Sequence, residues 1–166
     1  MDITELSHRT GLGTRRLRYV IEYQILPPLE GLTPGRGAGR EFNDFTGFCI
    51  ALAASLMERG LRRDIVKKVM ETILEFRRPG LPVGSVMFPA LQNAFAFAKR
   101  STLEIGDGCN VRIVSDPPHL QTGKDTIQPM SLPWTQMDTG ARLADRYEPT
   151  VTIVVRLDLL AGQVRA

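Results

Sequence analysis

Apolar residues recur every three or four positions in several stretches of the first eighty residues, which is the spacing of amphipathic helices. The clearest stripe joins Leu17, Val20 and Ile21. A shorter stripe of Ile3 and Leu6 is completed by Ser7 and ends before a glycine. The helices predicted in this part of the chain cover residues 3–10, 14–23, 44–59 and 62–76.

The two longer helices are each predicted to bury a single apolar stripe. Asn43 precedes the third helix as an N-cap, and Gly60 ends it. The predicted stripe of the third helix contains Phe45, Phe48, Cys49, Leu52 and Leu56, and that of the fourth contains Ile65, Val69, Ile73 and Phe76.

Glycine and proline interrupt the helical pattern between the second and third helices. A proline pair at residues 27–28 ends helical structure and begins an extended segment. Residues 30–42 then contain four glycines together with Arg36 and Arg40. This composition favours a β-hairpin with a flexible tip. The predicted hairpin strands cover residues 29–32 and 40–42.

A different pattern begins after residue 76. Residues 77–84 read RRPGLPVG and predict a hinge between a first part, residues 1–76, and a second part, residues 85–166. The second part is predicted to begin with a helix at 86–98, although Phe95-Ala96-Phe97 also suits a strand. The whole chain is therefore expected to have an α+β fold. The second part continues with hairpin strands at 102–105 and 109–114 around Gly106-Asp107-Gly108, a long loop at 116–149 and a strand at 150–159.

The formal net charge of +3 lies within residues 1–80. Residues 1–80 contain 13 Lys and Arg against 10 Asp and Glu, whereas residues 81–166 contain eight of each. Arg15, Arg16 and Arg18 directly follow the short turn Gly11-Leu12-Gly13. A cationic helix after a tight turn is what a helix-turn-helix presents to a DNA groove. The competing interpretation is an ordinary solvated helix face.

Other residue types give little support for catalysis or metal binding. Cys49 and Cys109 are far apart and are expected to be two small buried residues rather than a disulfide or a metal pair. The sequence has no catalytic Ser/His/Asp or Cys/His spacing and no phosphate-binding glycine loop, so no enzymatic activity, metal or cofactor is predicted. The absence of a membrane-spanning apolar run or a signal-peptide pattern leads us to expect a cytoplasmic protein without membrane contact.

The first part resembles the DNA-binding domain of the MerR family of transcription regulators. The resemblance implies a winged helix-turn-helix, in which two helices, a β-hairpin wing and two further helices follow one another. The sequence also departs from the family, because Val20 and Ile21 replace a usual aromatic residue and a usual acid. Gly13 stands where the family usually has a capping serine, and residues 77–84 interrupt the long helix by which the family dimerises. The matching residues, at the family's spacing, are Ile3, Glu5-Leu6, Arg9-Thr10-Gly11, Arg15, Leu17-Arg18-Tyr19, Ile25-Leu26-Pro27-Pro28, Gly39-Arg40, Phe42, Gly60 and Ile65.

The same resemblance implies a DNA-binding surface built around residues 14–19 in a major groove. It makes Arg15 the base contact, and Arg18 and Tyr19 phosphate contacts. Bracing of the helix by Arg18 through Glu5 or Glu22 is the alternative.

The resemblance adds two wings to that surface. Arg40 and Arg36 belong to the hairpin wing, for which a charged surface loop is the alternative. The turn before the fourth helix is the second wing, although Lys67 and Lys68 there also suit pairing with Glu58, Asp64 and Glu71. The candidate DNA-binding residues are Thr14, Arg15, Arg16, Arg18, Tyr19, Arg36, Arg40, Arg59, Arg62 and Arg63.

The predicted function is that of a sequence-specific transcription regulator that binds a two-fold site in double-stranded DNA as a homodimer. The hairpin and final strand of the second part would supply the dimer by edge pairing or a shared apolar face. One alternative is an interaction module whose second part docks RNA polymerase or another regulator. Another is a ligand-sensing regulator with a pocket around Trp134, for which the simpler interpretation is a loop anchored to the sheet.

Overall fold

The computed structural model describes residues 1–32, 41–74, 87–97, 100–115, 130–132, 134–139, 141–143 and 147–166. Within these ranges the chain forms helices and an antiparallel sheet, which confirms the predicted α+β class. The helices are α1 (Ile3–Thr10), α2 (Thr14–Glu22), α3 (Asp44–Glu58), α4 (Arg63–Ile73), α5 (Met87–Phe97) and α6 (Leu157–Arg165). The strands are β1 (Ser101–Gly106), β2 (Asn110–Ser115), β3 (Met130–Ser131), β4 (Thr135–Gln136) and β5 (Thr152–Arg156).

Local interactions define the ends of helices α1 and α2. The Asp2 side chain accepts a hydrogen bond from the Glu5 amide at 2.8 Å and caps α1. Gly11 ends that helix with φ +70°, in the left-handed region that favours glycine. Gly13 occupies the N-cap position of α2 and provides no side-chain cap. The predicted bounds of both helices are thus confirmed to within one residue.

Helix α3 is buried around nearly its whole circumference, so the prediction of a single apolar stripe was wrong. Every residue from Thr46 to Leu56 is buried, including the small residues between the predicted stripe positions. These small residues let neighbouring elements approach closely. A Cβ added to Gly47 would lie 3.0 Å from Met1 Sδ and 3.2 Å from Phe42 Cε2. Helix α3 is therefore the central element of the fold.

Helix α4 buries a face rotated from the predicted one. Ile65 is only partly buried, whereas Val66 and Met70 are fully buried beside the predicted Val69 and Ile73. The helix approaches α3 and α5 together, so its inner face is broader than a single stripe. Phe76 lies outside the described residues.

The strands predicted for the hairpin wing are not present in the residues that the structure describes. Residues 29–32 form a turn in which the Leu32 amide donates to the Leu29 carbonyl at 3.0 Å. Gly31, at φ +81°, places its backbone so close to Glu41 that an added Cβ would lie 2.9 Å from the Glu41 carbonyl oxygen. Phe42 instead exchanges two backbone hydrogen bonds of 3.0 Å with Met1. The tip of the predicted wing, residues 33–40 with Arg36 and Arg40, lies outside the described residues.

The hairpin predicted in the second part is confirmed. Strands β1 and β2 pair antiparallel from Ser101 opposite Ser115 to Gly106 opposite Asn110, around a turn at Asp107 and Gly108. Within the described sheet the order is β3-β2-β1-β5, and β4 also pairs with β2. The segment predicted as an irregular loop therefore contributes two short strands to the sheet. The helix predicted at 86–98 is also confirmed as α5.

The final predicted strand ends early and is followed by a helix that the sequence analysis missed. Strand β5 stops at Arg156, and α6 continues from Leu157. The apolar alternation of the strand is followed without a break by the helical spacing of Leu157, Leu160 and Val164. The apolar pattern therefore does not mark the boundary between strand and helix.

Helix α6 connects the two parts of the chain that the sequence analysis separated. It packs against α1 and α3 of the first part and against α5 and β1 of the second. The buried apolar residues of both parts form one continuous cluster. The hinge predicted at residues 77–84 lies outside the described residues, and the domain division stays a prediction.

Candidate nucleic-acid interface

Helix α2 places Arg15 and Arg18 on the side away from the core. Leu17 and Val20 are fully buried against the rest of the fold, and this fixes the rotation of the helix. Arg15 and Arg18 are exposed and lie about 60° apart around the helix axis. In the part of the chain that the structure describes, neither guanidinium has an ion-pair partner. Both side chains are therefore available to an external anion.

Arg16 points to the side and joins α2 to the end of α3. Its Nη1 lies 2.8 Å from Glu58 Oε1, and the two side chains are 44% and 42% exposed. At that exposure an ion pair contributes only about 0–1 kcal/mol. The contact holds Arg16 beside the end of α3, so a phosphate has to compete with Glu58 for this side chain.

Tyr23 belongs to the same surface, although the sequence analysis did not single it out. Its ring centroid lies 4.2 Å from that of Tyr19, one helical turn earlier. The Arg63 guanidinium lies over the Tyr23 ring at 5.5 Å from the centroid. The spacing of two tyrosines four residues apart could have indicated the ring contact, but the approach of Arg63 depends on tertiary structure.

The turn between α3 and α4 adds further cations beside α2. Arg62 is exposed at the N-cap of α4, and the Arg59 guanidinium bonds the Ser55 carbonyl of its own helix at 3.2 Å. The Arg16–Glu58 and Arg63–Tyr23 contacts bring this turn against α2. We define the α2 surface as Arg15, Arg16, Arg18, Tyr19, Tyr23, Arg59, Arg62 and Arg63.

Thr14 and Glu5 make contacts within the α1–α2 helix pair. The Thr14 hydroxyl donates to Ser7 Oγ at 3.3 Å, and Ser7 in turn donates to the Leu12 carbonyl at 2.7 Å. This chain of bonds ties the start of α2 to α1. Glu5 pairs with Arg9 at 2.5 Å, so the suggested bracing of Arg18 by Glu5 was wrong.

The pairing suggested for the lysines of α4 was also wrong for Lys68. Lys68 Nζ lies 2.6 Å from Asp138 Oδ1, in the turn after β4, rather than beside Asp64 or Glu71. This pair joins α4 to the turn after β4, so Lys68 has an ionic partner outside the α2 surface. Lys67 is exposed.

Two groups with shifted pKa values, Asp107 and Tyr147, lie together in the second part of the chain. Asp107 accepts a hydrogen bond from the Tyr147 hydroxyl at 2.6 Å, which lowers the pKa of Asp107 and raises that of Tyr147. Asn110 donates to the same hydroxyl at 2.7 Å. This small network fastens residues 147–151 to the tip of the β1–β2 hairpin, because the Val151 amide also donates to Asp107 at 3.0 Å.

Trp134 packs a segment onto the sheet. The residue is buried, with the Arg112 guanidinium 4.5 Å from its ring centroid and the Tyr147 ring in edge contact at 5.7 Å. A Cβ added to Gly106 would lie 3.1 Å from the indole. These contacts cover the ring closely, in agreement with the simpler interpretation that Trp134 anchors a loop.

The cysteine prediction was half right. Cys49 is buried in α3, where desolvation raises the pKa of its thiol, but Cys109 is exposed in the hairpin turn. Both are free thiols.

Among the described residues, no group of three or more His, Cys, Asp or Glu side chains is arranged to hold a metal ion. In the same part of the chain, no helix combines the length and apolar character needed to cross a bilayer.

No family model, curated protein or solved structure matches this chain. The resemblance to the MerR family therefore depends only on the residues of the first part that match the family at its spacing.

Proposed function

We propose that this protein is a sequence-specific DNA-binding regulator that reads a major groove with α2. The observation that carries the proposal is the charge at the start of this helix. Helices α1, α3 and α4 each have an acidic residue in the first turn, which matches the helix dipole. Helix α2 has no acid there and has Arg15 and Arg16 instead.

This arrangement works against the stability of α2. A charge of the wrong sign in the first turn costs about 0.3–1 kcal/mol at an exposed position. Gly13 adds no side-chain cap that would offset the cost. A bound polyanion would turn the electrostatic cost of these arginines into a gain. Its phosphates interact favourably both with the arginines and with the uncapped amides of the first turn. A surface role is thus a better account of these residues than helix stability.

The residues of the α2 surface suit the two kinds of contact that DNA recognition requires. Arg15 and Arg18 are exposed and unpaired among the described residues, and arginine pairs with guanine through two parallel hydrogen bonds. Tyr23 and Arg63 stand beside them and suit the phosphates that flank the groove. One module of this size buries a small area on DNA, so useful specificity calls for two copies on a two-fold site.

The test is selection of duplexes from a randomised DNA library, followed by fluorescence anisotropy with the selected and an unrelated duplex. The wild-type protein should prefer the selected duplex, and its affinity should fall steeply with salt. Arg15→Ala should reduce the preference about 5- to 150-fold, the range for loss of one bidentate base contact. Arg100→Ala is the matched control, because it removes an exposed arginine outside the α2 surface and should leave the preference unchanged.

Equal losses in the two variants would mean that only net charge matters and would remove the assignment of Arg15 as a base contact. Failure of the wild-type protein to bind any duplex at low salt would overturn the proposed function. Stable capture of RNA polymerase or of another regulator in that case would favour the interaction module.

A further inference from the structure

Strand β5 forms one edge of the described sheet. It pairs with β1 through five residues, from Thr152 opposite Gly106 to Arg156 opposite Thr102. No strand in the ranges that the structure describes pairs with its other side. An edge strand presents backbone donors and acceptors that can pair with another chain.

The hydrogen bonds at the start of β5 show which groups face the open edge. The Val151 carbonyl accepts from the Asp107 amide at 2.8 Å, and the Val151 amide donates to the Asp107 side chain at 3.0 Å. Val151 therefore directs both backbone groups toward the β1 side. Because this direction alternates along an antiparallel strand, Ile153 and Val155 also face β1. The amides and carbonyls of Thr152 and Val154 point to the open edge.

This edge lacks the usual protection against pairing. Natural edges are blunted by lysine, proline, bulges or other charged side chains. Residues 150–155 read TVTIVV and contain none of these residue types. Val151 and Val154 are 62% and 46% exposed, which is unusual for valine in a small sheet. From residue 150 to residue 155 the edge is thus free of charge, and the strand ends at the exposed Arg156.

We propose that β5 pairs antiparallel with β5 of a second copy of this chain, so that the two sheets join across a two-fold axis. The axis passes beside Ile153. In this register Thr152 lies opposite the partner's Val154, and Val154 lies opposite the partner's Thr152. The four amides and four carbonyls of these residues then form four hydrogen bonds, and the edge-facing backbone groups of Thr152 and Val154 are satisfied in both strands.

The side chains of β5 complement one another in the same register. Val151 lies opposite the partner's Val155, so exposed valine is covered by β-branched neighbours on the same face. Arg156 lies opposite the partner's Thr150, so the two-fold axis brings no like charges together. A heterologous partner would have to supply a matching uncharged strand, whereas a second copy supplies it by symmetry.

This inference takes its biological role from the proposed function, since it provides the second copy that a two-fold DNA site requires. A single strand pair with its flanking side chains is a small interface. We therefore expect a weak, reversible dimer in free solution, with a dissociation constant of about 1–100 µM. When both copies bind one DNA duplex, the high effective concentration should make dimerisation complete.

Sedimentation equilibrium over a range of protein concentrations tests the pairing. The wild-type chain should shift from monomer to dimer as its concentration rises. Val154→Pro should remain a monomer, because it removes an edge-facing amide without removing a bond to β1. Val154→Thr is the matched control, because it keeps both the amide and the β-branched shape and should dimerise like the wild type.

Circular dichroism decides whether Val154→Pro retains its fold. If it does not, Val154→Lys provides the same test with the backbone amide intact, because a lysine at an edge opposes strand pairing. A wild-type chain that remains a monomer throughout, or a folded Val154→Pro or Val154→Lys that dimerises like the wild type, would overturn the proposal.

DNA binding separates this result from failure of the proposed function. Duplexes with one and with two half-sites of the selected sequence should be compared. Folded Val154→Pro should bind one half-site as the wild type does and should lose the extra affinity for two. Absence of DNA binding by both proteins would count against the proposed function, while the sedimentation result would still decide the pairing of β5.

Discussion

At the scale of single residues, Asp158 joins the sheet to the last helix. It is buried in the first turn of α6, where its Oδ1 and Oδ2 accept hydrogen bonds from Arg156 at 2.8 Å and 2.6 Å. The paired guanidinium lowers the pKa of this carboxyl. Arg156 ends β5 and occupies the N-cap position of α6, so one bidentate pair fixes the bend between the two elements.

We expect Asp158→Asn to lower the free energy of unfolding by about 1–2 kcal/mol at pH 7, because it weakens a charge-assisted pair and removes a favourable helix-dipole charge. The folded-state pKa of Asp158 lies below its unfolded value, so the contribution is complete above the unfolded pKa and is lost as pH falls through the folded pKa. Urea unfolding at pH 7 and at pH 3 should show the difference from wild type narrowing in acid. Asp64→Asn, a first-turn acid without a described ion pair, should cost less. A difference that grows in acid would contradict this role.

At the scale of elements, Gly11 and Gly13 bound the turn between α1 and α2 in different backbone conformations. Gly11 has φ +70°, whereas Gly13 has φ −62° and ψ 129°, which any residue can adopt. A Cβ at either position would meet no atom within 4 Å. The two glycines therefore differ in backbone conformation and not in the space around them.

Gly13→Ser should stabilise the protein by about 0.5–1 kcal/mol, because it adds an N-cap to α2 and restricts the unfolded chain. Gly11→Ser should destabilise it by about 1 kcal/mol, because a side chain is strained at positive φ. Thermal unfolding of the two variants and of the wild type measures both effects. Similar shifts in the two variants would show that capping and backbone conformation do not govern this turn.

Elements with local signals were predictable from the sequence. These signals act within a few residues and comprise the Asp2 cap, the glycine stops and the Gly106-Asp107-Gly108 turn. The observed bounds agree closely with them in α1, α2 and the β1–β2 hairpin. The burial of α3 and the existence of α6 depend on neighbours that are distant in sequence. For the same reason, helical spacing predicted the exposure of Arg15 and Arg18 but not the contact of Arg16 with Glu58.

At the scale of the whole molecule, α6 makes the first part depend on the second. The Arg9 side chain in α1 donates to the Val164 carbonyl in α6 at 2.7 Å. At the other side of the same helix, Arg165 donates to the Ala96 carbonyl at the end of α5 at 2.8 Å. Together with the continuous buried apolar cluster, these contacts predict one cooperative unit rather than a DNA-binding head that unfolds by itself.

Leu6→Ala tests this cooperativity, because Leu6 is fully buried in α1 and the single tryptophan, Trp134, is buried in the second part. Urea unfolding should be followed by helical circular dichroism and by tryptophan fluorescence. In the wild type the two transitions should coincide. In Leu6→Ala both should move together by about 2–5 kcal/mol, the cost of a cavity in a packed core. If only the circular dichroism transition moved, the two parts would unfold separately, and α6 would not couple the α2 surface to the sheet that carries the proposed dimer edge.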